Sequence, residues 1–307
     1  MPSAARIRAG FVAFAAGDAF GAPWEGVPPE ELAAADLSQL PRREDWPRGA
    51  TSDDTAQLIL AAEALCAEGD LQRVFMERLA DELPRIRGAG PTTSAAVRRW
   101  RESGSLGATS GATNGAAMRA LAVGWAVPGD ADGTRRELVL ALSRATHGAP
   151  GALIAADVVA AMAGWALEGS AIGAISEDAV AEAARLREVL GAEVGLDALA
   201  AAAEGAWEPP AAGISLDAME TAAAVLHVLC GLRPADDLSD AIEASIRLGG
   251  DTDTVAAIVA GILGAGGADP ERELPWLPLV RLPDPALLDR LAQELWEKRA
   301  GRGRRCP

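Results

Sequence analysis

Two acidic motifs that lie far apart along the chain constrain the fold more than any other feature. TSDDT occupies residues 51–55, and LGGDTDT occupies residues 248–254. Each is followed at once by an alanine-rich apolar run, AQLILAAEAL and VAAIVAGILGA, which predicts that each motif forms the start of a helix. If the carboxylates of both motifs share one site, the chain between them must fold around that site as one body.

The oxygen-bearing side chains of these motifs have a structural and a chemical interpretation. Ser, Thr and Asp are common N-caps because they satisfy the first free N–H groups of a helix, so two ordinary caps are the simpler interpretation. One cap requires one such residue, whereas each motif supplies three or more. Four converging carboxylates would repel one another unless cations held them, which favours a metal site.

The chemistry of the donors predicts which cation such a site would bind. The motifs offer hard oxygen donors and neither cysteine nor histidine, a set that suits Mg²⁺ or Mn²⁺. Four Asp charges would balance two divalent ions and leave coordination positions open to water and substrate. We therefore predict a binuclear centre, with a single-ion site as the alternative. The predicted metal ligands are Ser52, Asp53, Asp54, Asp251, Asp253 and Thr254.

Helical periodicity recurs along nearly the whole chain. The predicted helices span residues 5–16, 55–68, 71–83, 91–102, 115–124, 134–145, 151–168, 176–190, 196–204, 216–230, 238–247, 254–265 and 284–299. Gly and Pro clusters separate them, and alternating patterns typical of strands are nearly absent. We predict an all-α fold in which residues 1–300 form one domain and residues 301–307 form a basic tail.

Charge and cysteine content limit the classes of partner. The net charge of −16 argues against broad nucleic-acid binding, so we expect no stable nucleic-acid complex. Three cysteines without paired spacing suit a reducing compartment. We recognise no signal peptide and no apolar span of membrane length that lacks a polar interruption. The sequence thus predicts a cytoplasmic protein without membrane association, and we expect a monomer.

Five sequence blocks together resemble the ADP-ribosylglycohydrolase family. They are GDAFGAPWE at 17–25, SDDT at 52–55, GATNGAAMRA at 111–120, TH at 146–147 and LGGDTDT at 248–254. Any one block is weak, but five in the family's order and spacing are highly specific. The resemblance implies an orthogonal helical bundle with two Mg²⁺ or Mn²⁺ ions, which hydrolyses the bond between ADP-ribose and a modified group.

Segment 103–115, SGSLGATSGATNG, is a candidate phosphate site. Successive N–H groups in a Gly-rich loop before a helix can form an anion-binding nest, and Gly111 and Gly115 would allow close approach of a pyrophosphate. The alternative is a flexible surface loop. The resemblance favours phosphate binding, and it implies that Asn114 lies beside the metal-bound ribose.

The resemblance implies roles for several other side chains. Glu25 would position or activate water near the metals, whereas a single loop glutamate is otherwise a solvated charge. His147 would lie near ADP-ribose or, alternatively, interact with a helix C-terminus. Asp18 is expected to fix loop geometry by hydrogen bonding, and His227 is typical of a core histidine. Ile214 stands where relatives often carry an aromatic against adenine; without tyrosine, a Trp or Phe would stack on the base.

The sequence therefore predicts a metal-dependent ADP-ribosylhydrolase, which cleaves the N- or O-glycosidic bond between ADP-ribose and a protein side chain, a nucleic acid or a small molecule. Glu25 and Asp251 are the candidates for the general base. Two alternatives remain. One is a relative that binds ADP-ribose or a nucleotide without turnover, and the other is a two-metal hydrolase of another nucleotide-sugar or phosphoester.

Overall fold

Helices make up nearly all of the regular structure. The computed structural model describes residues 1–43 and 45–301, and within these ranges no β-strand occurs, so the predicted all-α fold is confirmed. The helices are α1 (Ala4–Gly21), α2 (Pro29–Leu32), α3 (Asp53–Cys66), α4 (Leu71–Glu82), α5 (Pro91–Ser103), α6 (Leu121–Ala126), α7 (Asp132–Ser143), α8 (Pro150–Glu168), α9 (Ile172–Leu190), α10 (Asp197–Ala203), α11 (Ala218–Gly231), α12 (Leu238–Arg247), α13 (Thr252–Gly266), α14 (Pro270–Glu273) and α15 (Pro285–Arg299).

Most predicted helices agree with the observed ones to within a few residues, and the main exception is the segment 115–124. There the chain forms a 3₁₀ turn at Asn114–Ala116, and α6 begins only at Leu121. The carbonyl oxygen of Gly115 accepts a hydrogen bond from the side chain of Arg119 at 2.8 Å. In the described chain this carbonyl accepts no backbone N–H, so the continuous helical hydrogen bonding that the apolar pattern predicted is interrupted here.

The centre of the fold is built from α1, α8 and α13, which are apolar on nearly every side and are therefore surrounded by other helices. α13 contacts α1, α8, α11 and α12. The buried apolar side chains form one continuous core, in keeping with a single domain. Of the predicted tail at 301–307, only Gly301 lies within the described residues.

Glycines allow α1 and α13 to pack backbone against backbone. A Cβ atom on Gly17 would lie 2.4 Å from the carbonyl oxygen of Ala256, and one on Gly21 would lie 2.5 Å from the Cα atom of Asp253. Both distances are too short for any side chain, so only glycine permits this approach. Asp18 lies between these two glycines, and the packing therefore places it beside the start of α13.

Helix α8 combines an apolar composition with a buried ionic contact. It is long and apolar enough to cross a membrane by those criteria alone, yet 83% of its apolar window is buried inside the fold. Its polar interruption, Asp157, lies 3.2 Å from Nε of Arg135, and Nη2 of Arg135 lies 2.7 Å from Glu182. These three buried side chains join α7, α8 and α9.

Three loops meet where α3, α11 and α13 begin. Two isolated β-bridges pair Thr113 with Asp217 and Ile214 with Gly250. Gly250 is also bonded to the loop after α1, since its carbonyl accepts from the N–H of Gly26 at 2.8 Å and its N–H donates to Val27 O at 3.0 Å. These backbone contacts bring sequence-distant polar motifs to one place on the surface.

Candidate functional site

The two acidic motifs use their first residues differently. The Ser52 hydroxyl accepts a hydrogen bond from the N–H of Asp54 at 3.1 Å, so it is an ordinary N-cap of α3. Asp251 holds the equivalent position before α13, but its side chain makes no capping bond and instead accepts from the Asn114 side-chain amide. The cap interpretation therefore explains Ser52 and leaves the aspartates unexplained.

Carboxylates from α1, α3, α13 and the Glu25 loop converge. Oxygens of Asp18, Asp54 and Asp253 lie within 4.8 Å of one another, and so do oxygens of Glu25, Asp251 and Asp253. Asp253 belongs to both groups and joins them into one cluster. Within the described ranges, Oδ2 of Asp54 is buried without any hydrogen-bond partner. Such an oxygen is costly to bury unless another positive group binds it.

Burial and mutual repulsion make these aspartates hard to ionise. Burial, followed by repulsion from neighbouring carboxylates, raises the pKa values of Asp54 and Asp253 well above their usual range. Burial and the nearby Asp18 raise the pKa of Asp53 to about 7, and burial raises the pKa of Asp251 to about 6. A bound cation would relieve both effects.

The donors fit a hard divalent cation. They are all oxygens, they include the orphaned Asp54 Oδ2, and the Thr254 hydroxyl lies 3.3 Å from the other oxygen of Asp54. All the predicted metal ligands except Ser52 line the same cavity. Asp53 lies at its edge, outside the two close groups, where Oδ2 accepts from the Gln57 side-chain amide at 2.7 Å.

Asp18 has the structural role expected from the sequence. It also belongs to the acidic cluster, which the sequence did not reveal. It accepts from the backbone N–H groups of Ser52 at 2.9 Å and Thr55 at 3.1 Å, which fixes the start of α3 against the end of α1. The same carboxylate belongs to the cluster with Asp54 and Asp253. The signal for this proximity was the pair of glycines that flank Asp18.

Glu25 lies at the solvent edge of the cluster. Its side chain is 37% exposed and forms an ion pair with Nη1 of Arg43 at 2.6 Å. Arg43 also donates to the carbonyl of Ala22 and lies over the ring of Trp46, 4.4 Å from its centre. Glu25 thus lies between the aspartates on one side and the guanidinium of Arg43 on the other.

A cavity of about 240 Å³ extends from the acidic cluster. Besides the carboxylates, its lining comprises residues 88–93, 113–115, Met118, His147, Leu216 and Thr254. The end formed by residues 88–93 includes the N-terminus of α5, which has no side-chain cap. In the described chain the N–H groups of Thr92 and Thr93 have no backbone acceptor. A helix start with free N–H groups attracts anions, so this end of the cavity suits an anion and the carboxylate end suits a cation.

The sequence analysis did not single out the start of α5, and it predicted the phosphate site in segment 103–115, which stays a prediction. Only residues 113–115 of that segment line the cavity, and the 3₁₀ turn that follows is too short to provide a helix dipole. Gly111 itself does not line the cavity, although a Cβ on it would lie 2.7 Å from Thr92, which does. The available signal was RGAGP at 87–91, a Gly-rich turn directly before a helix.

Asn114 and His147 both lie on the cavity wall. The side-chain amide of Asn114 donates to the Thr221 hydroxyl at 2.9 Å as well as to Asp251. His147 is buried, with Nε2 2.8 Å from the Thr113 hydroxyl and Nδ1 2.7 Å from the Thr146 hydroxyl. Burial, together with the nearby Arg119, lowers the pKa of His147 to about 3. The imidazole is therefore neutral at physiological pH.

Leu216 is an exposed apolar side chain of the cavity lining, whereas Ile214 is buried in the core. Ile214 is 3% exposed, and its carbonyl accepts from the N–H of Asp251 at 2.8 Å. Leu216 is 45% exposed and lines the cavity. His227, predicted as a core residue, is half-buried and packs edge-on against Trp207 with ring centres 5.3 Å apart.

A larger cleft of about 1010 Å³ lies beside Trp24 and Trp46, but its charged side chains are all exposed. It contains none of the buried carboxylates. Perturbed titratable groups in a concave site are the better indicator of chemistry than volume, so the smaller cavity is the candidate functional site.

Comparisons with known proteins identify a family and a similar solved structure. A model of the ADP-ribosylglycohydrolase family matches residues 2–305. The chain is also similar to a solved structure described as an "ADP-ribosylglycohydrolase-related protein complex", with 29% sequence identity and a TM-score of 0.76. That similarity covers 96% of this chain and 98% of the other. No curated protein sequence matches the chain significantly.

Proposed function

We propose that this chain, which belongs to the ADP-ribosylglycohydrolase family, is a metal-dependent ADP-ribosylhydrolase that cleaves the glycosidic bond between ADP-ribose and a modified group. One observation carries the proposal. A single cavity has buried carboxylates with an orphaned oxygen at one end and the free N–H groups of a helix start at the other. These ends suit the metal-bound ribose and the diphosphate of one ligand.

We expect two Mg²⁺ or Mn²⁺ ions, held by the predicted ligands that line the cavity, which are Asp53, Asp54, Asp251, Asp253 and Thr254, with Asp18 close by and Ser52 as the N-cap of α3. Divalent ions bound there would supply positive charge for ribose oxygens and lower the pKa of a bound water. Asn114 would keep the Asp251 carboxylate in place through its short amide contact. Asp253, common to both carboxylate groups, would hold metal together with the carboxylates of either group.

The remaining lining residues suit the other parts of ADP-ribose. The N–H groups of Thr92 and Thr93 would donate to phosphate oxygens, and the exposed Leu216 would contact the adenosine. Glu25 at the cavity mouth would take a proton from the attacking water, whose oxygen would bond to the anomeric carbon as the bond to the acceptor breaks. The acceptor would leave with that proton, returned by Glu25. Its exposed position fits an acceptor that remains outside the cavity.

A substrate panel tests the proposal. ADP-ribosyl-arginine, ADP-ribosyl-serine and ADP-ribosylated DNA are incubated with the protein in Mg²⁺ or Mn²⁺, and release of ADP-ribose is measured. We expect cleavage of at least one, and loss of that cleavage in chelator. Release of AMP from free ADP-ribose would indicate phosphoester chemistry instead. Tight ADP-ribose binding with no cleavage in the panel would indicate a binding protein.

Two variants separate catalysis from metal binding. Glu25→Gln should retain metal and ADP-ribose binding but lower the turnover number by about 10²- to 10⁴-fold, the usual value of general acid–base catalysis. Asp251→Asn should lose metal affinity and activity together, because it removes a ligand charge. If Glu25→Gln has the wild-type turnover number, the base must be one of the aspartates.

A further inference from the structure

Arg119 is a fully buried cation that lies beneath the cavity. Its guanidinium is 0% exposed and stacks on Phe75, 4.5 Å from the ring centre. All its hydrogen-bond partners are neutral: the side chains of Gln57 and Thr146 and three backbone carbonyls. Burial lowers the pKa of Arg119 to about 9, which still leaves it charged at neutral pH. A buried charge without an ion pair is costly, so these hydrogen bonds must hold it in place.

Arg119 fixes the direction of a chain of hydrogen bonds toward the cavity. Nη2 donates to the Thr146 hydroxyl at 2.7 Å, because arginine has no acceptor. That hydroxyl has one further contact in the described chain, to Nδ1 of His147 at 2.7 Å. If Nδ1 carried the proton, the Thr146 O–H would be buried without an acceptor, which is unfavourable. Thr146 therefore donates to Nδ1.

The directions of the remaining hydrogen bonds follow from the neutral state of His147. A neutral imidazole that accepts at Nδ1 carries its proton on Nε2, so Nε2 donates to the Thr113 hydroxyl at 2.8 Å. The Thr113 hydrogen is then free for another acceptor. The Thr92 hydroxyl lies 3.3 Å away, and both threonines line the cavity. A ligand oxygen in the cavity would be a better acceptor than this long contact.

A second chain runs from the same guanidinium to the acidic cluster. Nη1 donates to Oε1 of Gln57 at 2.9 Å, and this fixes which side of the amide carries the N–H₂ group. Nε2 of Gln57 consequently donates to Oδ2 of Asp53 at 2.7 Å. One buried cation thus orients polar groups at both ends of the cavity.

We propose that Arg119 is a positioning residue, which makes the Thr113 hydroxyl a hydrogen-bond donor to the substrate and makes Gln57 a donor to Asp53. The ligand group that Thr113 would contact is an anionic oxygen such as phosphate. This part of the inference rests on the proposed function. The direction of the hydrogen bonds does not, since it is a property of the protein without ligand.

Nitrogen-15 NMR of the histidine ring tests the direction. The chain has 2 histidines, so His227→Gln leaves His147 as the single imidazole signal. We expect a neutral ring that is protonated at Nε2 and accepts a hydrogen bond at Nδ1. Thr146→Ser should keep the Nδ1 signal, whereas Thr146→Val should shift it to that of an imidazole nitrogen without a donor. If the His147 ring of the His227→Gln protein is protonated at Nδ1, the proposal is overturned.

A comparison of the wild-type residue with Arg119→Met tests the role of Arg119 itself. Arg119→Met keeps much of the apolar contact with Phe75 and removes the donors, so we expect both tautomers of His147 to appear. An unchanged Nε2 tautomer with an unchanged Nδ1 signal would show that Arg119 does not set the direction. If Arg119→Met fails to fold, the Thr146→Ser and Thr146→Val pair still decides whether the hydroxyl donates to His147.

Calorimetry with ADP-ribose tests the consequence for the ligand. Thr113→Val and Thr146→Val should each weaken ADP-ribose binding about tenfold relative to Thr113→Ser and Thr146→Ser. Thr113→Val loses the hydrogen bond to the ligand, and Thr146→Val loses the hydrogen bond that orients His147. Equal affinity within each pair would overturn the substrate part of the inference. Failure of the wild-type protein to bind ADP-ribose, with the expected tautomer present, would contradict the proposed function and leave the hydrogen-bond direction intact.

Discussion

At the scale of single residues, the acidic site differs from an ordinary polar surface because not all of its buried carboxylate oxygens have hydrogen-bond partners. Asp18 has several hydrogen-bond donors, so its charge has a structural use. Asp54 is buried to the same degree but leaves Oδ2 without a partner among the described residues. Native proteins rarely retain such an oxygen without a function, and a cation is the partner that its neighbours favour.

Asp54→Asn should therefore have opposite effects with and without metal. In chelator, we expect a higher melting temperature, because the variant removes a buried charge that neighbouring carboxylates repel. Affinity for Mn²⁺, measured by calorimetry, should fall about 100-fold or more, because a ligand charge is lost. Asp178→Asn, an exposed change on α9, is the control and should alter neither quantity. Wild-type Mn²⁺ affinity in Asp54→Asn would contradict the metal site.

At the scale of helices, the close packing of α1 on α13 carries the site. The glycines of α1 bring the two backbones together, and this contact sets the distance between Asp18 and Asp253. Neither helix end could supply the cluster alone, since each group of carboxylates draws on more than one element. Small residues at a helix interface thus serve the function as well as the packing.

Gly17→Ala should destabilise the protein by about 1–3 kcal/mol, because its Cβ would overlap backbone atoms of α13 and force the helices apart. The same separation should weaken Mn²⁺ binding. Gly173→Ala on α9 is the matched control: nothing lies within 4 Å of its Cβ, so the free energy of unfolding should be unchanged or up to about 1 kcal/mol higher. Urea unfolding of both variants measures the difference. Equal stabilities would show that the α1–α13 contact tolerates a methyl group.

At the scale of the whole molecule, the fold concentrates uncompensated charge in its interior. The net charge is −16. Among the described residues, Glu25 pairs with Arg43, and the clustered aspartates of the site form no ion pair. Surface charges are screened by salt, whereas buried ones are screened much less. The stability of the metal-free protein should therefore depend strongly on the protonation of this cluster.

The expected pH dependence follows from the raised pKa values. Asp251 and Asp53 have folded-state pKa values of about 6 and about 7, above the usual 3.8, so the folded protein binds more protons than the unfolded one between these limits. Metal-free stability should fall as pH rises from about 4 to 7. Mg²⁺ or Mn²⁺ replaces these protons, so the increase in melting temperature on adding metal should grow over the same range. The difference between the melting temperatures with and without metal is taken at each pH, which removes the effect of overall charge. If this difference is constant with pH, the account is contradicted.

The amino-acid sequence by itself determined the all-α class, the start of a helix at each acidic motif and the family. Helices depend on apolar residues repeated every three or four positions and on polar caps, and both are local features. Five blocks in order identified the family, which the match over residues 2–305 confirms. Departures such as the 3₁₀ turn at Asn114–Ala116 arose where a distant or buried side chain competed with local preference.

Only the tertiary structure decided which side chains meet. It brought Asp18 to the cluster, placed the start of α5 in the cavity lining opposite the carboxylates, and left Leu216 exposed at the cavity while Ile214 is buried. It also buried Arg119, which the sequence pattern did not single out, beneath the cavity. Each of these outcomes depends on contacts between residues far apart in the chain. Local periodicity contains no information on such contacts, because it fixes the faces of a helix and not the neighbours that those faces will have.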